Sequence, residues 1–131
     1  MDSALGSDLR EQLASAMSGL PIGLFLLHGS RARREDHIRS DWDFAYLASA
    51  SFDAEDLRVR LSEALGTDDV DVVDLTRGSA LLRHRVARDG ILIFQRSPGE
   101  FERFQEAAAQ FMCDVEPVLR RAWDETLAEL G

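Results

Sequence analysis

Two spacings of apolar residues alternate along this chain. Ile22 to Leu27 and Ile91 to Gln95 are short uncharged runs, the form a buried strand takes. Asp41 to Leu47 and Asp69 to Leu75 mix apolar and acidic positions with a period of two, which predicts strands with one polar face. Between these stretches the apolar residues recur every three or four positions. Leu9, Leu13, Ala16 and Met17 predict a helix over Asp8 to Ser18 behind a Ser7 cap, and Leu57, Leu61, Ala64 and Leu65 predict one over Ala54 to Leu65. Asp53 suits the start of that second helix and Gly66 its stop. Ser79 opens a helix to Arg88, and Asp89-Gly90 turns the chain out of it. Ser97-Pro98-Gly99-Glu100 reads as a capping box for a helix to about Asp114. Pro117 should kink or restart that helix, leaving a last segment that ends near Leu130.

A short helix across Arg31 to Arg34 and a polar loop from Glu35 to Ser40 complete the order. The economical arrangement for these elements is α/β: one small mixed β-sheet with helices packed on one face and the acidic residues on the other. With 131 residues and no internal repeat, residues 1–131 are expected to form a single domain. Phe101, Phe104, Ala108, Phe111 and Met112 make an apolar stripe that Val115, Val118, Leu119 and Trp123 extend. Core packing is the default for such a stripe, with part of it available to an interface.

The formal charge of −9 changes the functional picture. All fifteen basic residues are arginine, so no lysine can form a Schiff base or clamp a phosphate. So acidic a chain is a poor ligand for nucleic acid, which is bound by neutralising phosphates. Cys113 is the only cysteine, which rules out an internal disulfide or a cysteine metal site. No apolar run reaches the roughly 20 residues that span a bilayer, and the first residues lack a signal-peptide pattern. A cytoplasmic location is the simple expectation.

The chemistry concentrates between His28 and Phe44. Gly29 allows a sharp turn and close backbone approach to a ligand. Ser30 adds a hydroxyl at an expected helix N-terminus, where phosphate is favoured. Asp41 and Asp43 fall on one face of a strand, with Trp42, Phe44 and Tyr46 on the other. Strands disfavour Asp, and two adjacent carboxylates repel unless a cation lies between them. Oxygen-only ligands suit Mg²⁺ or Mn²⁺, with substrate phosphates completing the shell. Asp71, between valines, is the preferred third carboxylate, with Asp69 as the fallback, while Asp74 is read as a turn or cap. His28 reads as structural, and Arg83, Arg85 and Arg88 as facing water or a partner.

Gly29-Ser30 followed after ten residues by Asp41-x-Asp43 resembles the signature of the minimal nucleotidyltransferases of the polymerase-β-type superfamily. Gly29-Ser30-Arg31-Ala32-Arg33, the acidic run Val70 to Leu75, and Leu81 to Leu92 extend the likeness, which runs from about Leu24 to Phe94. Arg34 stands where that family often has a second glycine. The resemblance is strongest to antitoxins paired with HEPN-domain toxins. It implies a nucleotidyltransferase fold, with Asp41, Asp43 and Asp71 as catalytic metal ligands and Gly29 and Ser30 at the nucleotide; of Arg31, Arg33 and Arg34, which also suit an exposed charged turn, one can face the triphosphate, and Arg33 is the one assigned. It further implies ATP as donor, Mg²⁺ as cofactor, and AMP transfer to a tyrosine hydroxyl of a HEPN ribonuclease toxin. Two other readings stay open: an antitoxin that only masks its toxin, and a small-molecule nucleotidyltransferase of the aminoglycoside-modifying type. A hetero-complex or a homo-oligomer is compatible with each.

Overall fold

Strand β1, Ile22–His28, lies at the centre of the sheet, and its sequence explains why. Ile22, Leu24, Phe25, Leu26 and Leu27 are each buried, so both of its faces need cover. In the computed structural model, which describes residues 6–29, 32 and 41–130, that cover comes from helices on both sides. The elements follow as α1 (Ser7–Ala16), β1, β2 (Trp42–Ala48), α2 (Ala54–Leu65), β3 (Val70–Asp74), a 3-10 turn (Leu75–Arg77), α3 (Ala80–Asp89), β4 (Ile91–Gln95) and α4 (Glu100–Leu130).

The sheet order is β3-β2-β1-β4, with β1 antiparallel to both neighbours and β2 parallel to β3. The expected mixed sheet is therefore present, but its helices divide between the faces. Leu13 of α1, Met17 just after it, and Leu57 and Leu61 of α2 pack with Ile22, Phe25, Leu27, Phe44 and Tyr46. Val86 and Ala87 of α3 and Phe104 and Ala108 of α4 pack with Leu24, Leu26 and Ala45 on the other side. A register shift between Ile22 and Leu24 changes the alternation of β1, which is how Ile22 joins the face of Phe25 and Leu27. The Phe25 and Phe44 rings stack at 5.0 Å in the first layer.

Local signals account for most boundaries. The Asp53 carboxylate accepts from the Glu55 N–H, and Gly66 ends α2 in the left-handed conformation at φ 72°. Ser79 Oγ accepts from the Leu82 N–H at the start of α3. Asp74 accepts from the Thr76 N–H and so serves as a turn residue. Other boundaries differ from expectation. Ser7 is the first residue of α1, whose cap position is Gly6 with no side-chain bond. Gly99, at φ 88°, holds the Ser97–Glu100 segment in a turn, and α4 begins only at Glu100, whose carboxylate lies beside Gly23.

The helix α4 also runs unbroken through Pro117. Cys113 is exposed, so water can take the carbonyl that the missing proline N–H leaves unbonded. Arg83, expected to face water or a partner, is half-buried: its Nη1 donates to the Leu75 carbonyl at 2.9 Å, and its guanidinium lies 5.7 Å from the Phe104 ring centroid.

Candidate active site

The strand directions bring three chain segments to one end of the sheet. β1 ends there, and β2 and β3 both begin there. In that register His28 lies opposite Asp43, and Asp43 lies beside Asp71. Directly paired residues share a sheet face, so these three side chains form one row across three strands. Their face is that of Leu24, Leu26 and Ala45, the side covered by α3 and α4. Neighbouring strands are about 4.8 Å apart, which sets the two carboxylates side by side. Asp43 is half-buried and Asp71 exposed, so the row runs from the sheet outward to solvent.

Asp41 is exposed and immediately precedes β2. The Trp42 N–H donates to the Asp69 carbonyl at 2.9 Å, holding the start of β2 against the start of β3. Continued one step outward, the same register sets Asp69 level with Asp41. Of the two candidates for a third carboxylate, Asp71 is thus the one paired with Asp43.

Gly29 is required here twice over. Its φ of 79° lies where side chains are strained, and a Cβ added to it would come within 2.5 Å of Asp43 Oδ2. The turn after β1 therefore presses backbone, with no side chain, against the Asp43 carboxylate. Ala32 is half-buried against the layer of Phe25 and Phe44. Ser30 and Arg33, assigned to the nucleotide from the sequence, lie outside the described residues.

From the sequence His28 reads as structural. Its place at the end of β1, two residues beyond Leu26 and next to Gly29, was visible in the sequence; its register opposite Asp43 was not. Among the described residues no three His, Cys, Asp or Glu side chains converge into a ready-made metal cage. Paired carboxylates open to solvent on one side instead suit an ion that shares its shell with substrate phosphates. Mg²⁺ commonly binds in that way, and the all-oxygen pair Asp43 and Asp71 fits it.

Over residues 11–99 the chain matches the family described as polymerase beta, nucleotidyltransferase. It is 29% identical over 117 residues to the protein adenylyltransferase MntA of Aphanizomenon flos-aquae, a match covering 76% of this chain and 75% of that protein. It superposes on a chain of a toxin–antitoxin crystal structure with AMP-PNP at a TM-score of 0.78 and 24% identity, covering 90% of this chain and 98% of that one. A second superposition is on a chain of the tri-AMPylated Shewanella oneidensis HEPN toxin in complex with an MNT antitoxin. There the TM-score is 0.68 and the identity 23%, covering 92% of this chain and 93% of that one. Identities this low speak for a shared fold, and the nucleotidyltransferase fold is the one shared.

Proposed function

Because the chain belongs to the polymerase beta nucleotidyltransferase family, we propose that it transfers AMP from ATP to a tyrosine hydroxyl of a HEPN-domain toxin and thereby silences it. One observation carries this reading: Asp43 and Asp71 stand side by side at an open end of the sheet, with the Gly29 backbone pressed against Asp43. Like charges directly opposite on adjacent strands are destabilising, a cost that a cation held between them would offset. The adenylyltransferase activity named for the Aphanizomenon relative and the AMPylated toxin in the Shewanella complex support the choice of donor and acceptor. The chain acts in the cytoplasm as one domain bound to its toxin. No described helix is long and apolar enough to cross a membrane.

In the proposed reaction the tyrosine oxygen attacks the α-phosphorus in line, a new oxygen–phosphorus bond forms, and the bond to the departing pyrophosphate breaks. The hydroxyl proton is released. Asp41, Asp43 and Asp71 would hold Mg²⁺, which when bound offsets the charge of the triphosphate and of the attacking oxygen. Gly29 keeps the space beside Asp43 free of side chain and brings backbone close to the phosphates, with Ser30 and Arg33 assigned to the phosphate oxygens. Asp71 is the more exposed of the paired carboxylates, and the acceptor would approach from its side. All of this is positioning and electrostatics, with no covalent intermediate on the protein.

The test is incubation with ATP and Mg²⁺, with and without the HEPN-domain protein of the same genome, followed by intact-mass spectrometry. Added AMP on that protein's tyrosine is the expected result. Label on a small molecule, or protection of cells by an Asp41→Asn/Asp43→Asn variant that cannot modify, would replace the proposal with one of the other two readings.

A further inference from the structure

Helix α4 is 31 residues long, but only its first turns have anything to pack on. Phe104 and Ala108 are buried against α3 and the sheet, and Ala108 is the last buried residue among the described ones. At 1.5 Å per residue, the remainder of the helix extends roughly 33 Å further. Its apolar positions nevertheless keep a three-and-four spacing. Phe111, Val115, Val118 and Leu119 continue the side that Phe104 and Ala108 present to the core, and Trp123 and Leu127, at successive four-residue steps, carry the stripe progressively round the helix. Val118 and Trp123 are each 64% exposed. A helix this exposed, with a proline inside it, gains little from its own propensity, and its stability has to come from what covers the stripe.

The direction of α4 ties this surface to the carboxylates. The helix starts with Glu100 beside Gly23, at the beginning of β1. By Gln105 it has reached the end of α3, where the Gln105 Nε2 donates to the Ala87 carbonyl at 3.0 Å. From there α3 feeds through Gly90 into Ile91, which pairs with Leu27 next to His28. The helix therefore advances toward the end of the sheet that holds Asp43 and Asp71, on their face of the sheet.

Charge selects among occupants. The polar flanks of the extension carry Asp114, Glu116, Asp124, Glu125 and Glu129 against Arg120 and Arg121. Arg120 is already engaged by Glu116. A second copy of this chain, itself at −9, would meet the stripe with like charge. A partner whose apolar groove is rimmed by basic residues meets it with opposite charge.

We propose that residues 111–127 of α4 form an arm that seats the acceptor protein, by an apolar groove with a basic rim, and presents its hydroxyl to Asp43 and Asp71. The arm supplies the half of the acceptor site that the small domain lacks. This inference rests on the protein-modifying reading above, and its test separates the two.

The experiment compares the full chain with its Leu119→Asp/Trp123→Asp variant against the HEPN-domain protein of the same genome. Calorimetric titration measures the complex, intact mass measures AMP transfer, and a thermal-shift assay with Mn²⁺ and AMP-PNP checks the nucleotide site. The variant is expected to bind the acceptor roughly a hundredfold more weakly, as loss of central aromatic anchors does. It should transfer AMP only at raised protein concentration and keep the parental thermal shift. Binding by the parent should weaken as salt rises. Parental affinity in the variant would overturn the arm even if transfer is confirmed. Self-association of the parent that the variant abolishes, with acceptor binding intact, would assign the stripe to a second copy and also overturn it. A parent that binds through the arm but transfers nothing would support the arm and sink only the transfer reading.

Discussion

Replacing Gly29 by alanine tests the site at its tightest point. Two costs follow from the structure, and they have different readouts. At φ 79° an alanine is strained by about 1–2 kcal/mol, as any L-residue is in the left-handed region. That lowers the melting temperature by roughly 3–8 °C for a domain of this size. The new Cβ would also lie 2.5 Å from Asp43 Oδ2, closer than the 3.0 Å that real Cβ atoms respect. The carboxylate must retreat by about half an ångström or more, and misplacements approaching 1 Å at a reacting centre cost on the order of a hundredfold in rate. Gly66 provides the control. It has φ 72° but nothing within 4 Å of an added Cβ, so Gly66→Ala carries the strain without the collision. Thermal denaturation should show similar losses for the two variants. AMP transfer, and stabilisation by Mn²⁺ as an acceptor-free readout, should fall only in Gly29→Ala. Equal transfer by Gly29→Ala and the parent, or equal loss in Gly66→Ala, would refute the claim that Gly29 is there to make room for Asp43.

Three further outcomes are expected. Asp43→Asn and Asp71→Asn should each relieve repulsion in the metal-free protein and abolish its stabilisation by Mn²⁺, read as a rise in melting temperature, which for an intact site at a hundred times Kd corresponds to about 2.7 kcal/mol of stability; an unchanged rise in both would remove the pair from the metal site. Ser30→Ala should weaken ATP binding with the fold intact, by about 1 kcal/mol for one neutral hydrogen bond, and equal ATP affinity in calorimetry would argue against the phosphate role. Tyr46 carries the alkaline prediction: burial pushes its hydroxyl above the usual value of 10.0, the Asp74 charge adds to this, and Arg77 opposes it. A raised folded value means the contribution is full below the unfolded value and is lost as pH rises through the folded one, so urea stability should decline above about pH 10 in the parent and less in Tyr46→Phe.

The elements were legible wherever the signal was local. Asp53, Gly66, Ser79 and Asp74 each act through a bond or a dihedral within a few residues, and each appears as read. The errors arise where a distant contact decides. Gly99 takes φ 88°, which places Glu100 at the start of α4 with its carboxylate beside Gly23, and no pattern within Ser97–Glu100 announces this. Arg83 reads, with Arg85 and Arg88, as facing water or a partner, but the Leu75 carbonyl and the Phe104 ring, from other elements, hold it half-buried. His28 reads as structural and nothing overturns that, but its place opposite Asp43 follows only from the pairing of β1 with β2.

The placing of helices on both faces of the sheet was also in the sequence, in the uninterrupted Leu24-Phe25-Leu26-Leu27, which leaves neither side of β1 fit for water. That feature bears on the site as well as the fold. A sheet covered on both faces can accommodate charge only where its strands end. Asp43 and Asp71, each the second residue of its strand, stand at such an end, and His28 closes the row as the last residue of β1. Moved two residues inward, Asp43 would occupy the position of Ala45, fully buried under α3 and α4, where a lone carboxylate would give up its charge rather than hold an ion. The burial that stabilises β1 and the exposure that a metal and a triphosphate require are therefore met by one arrangement. Gly29 lies at the boundary, because the chain must turn there without adding a side chain to space the carboxylate uses.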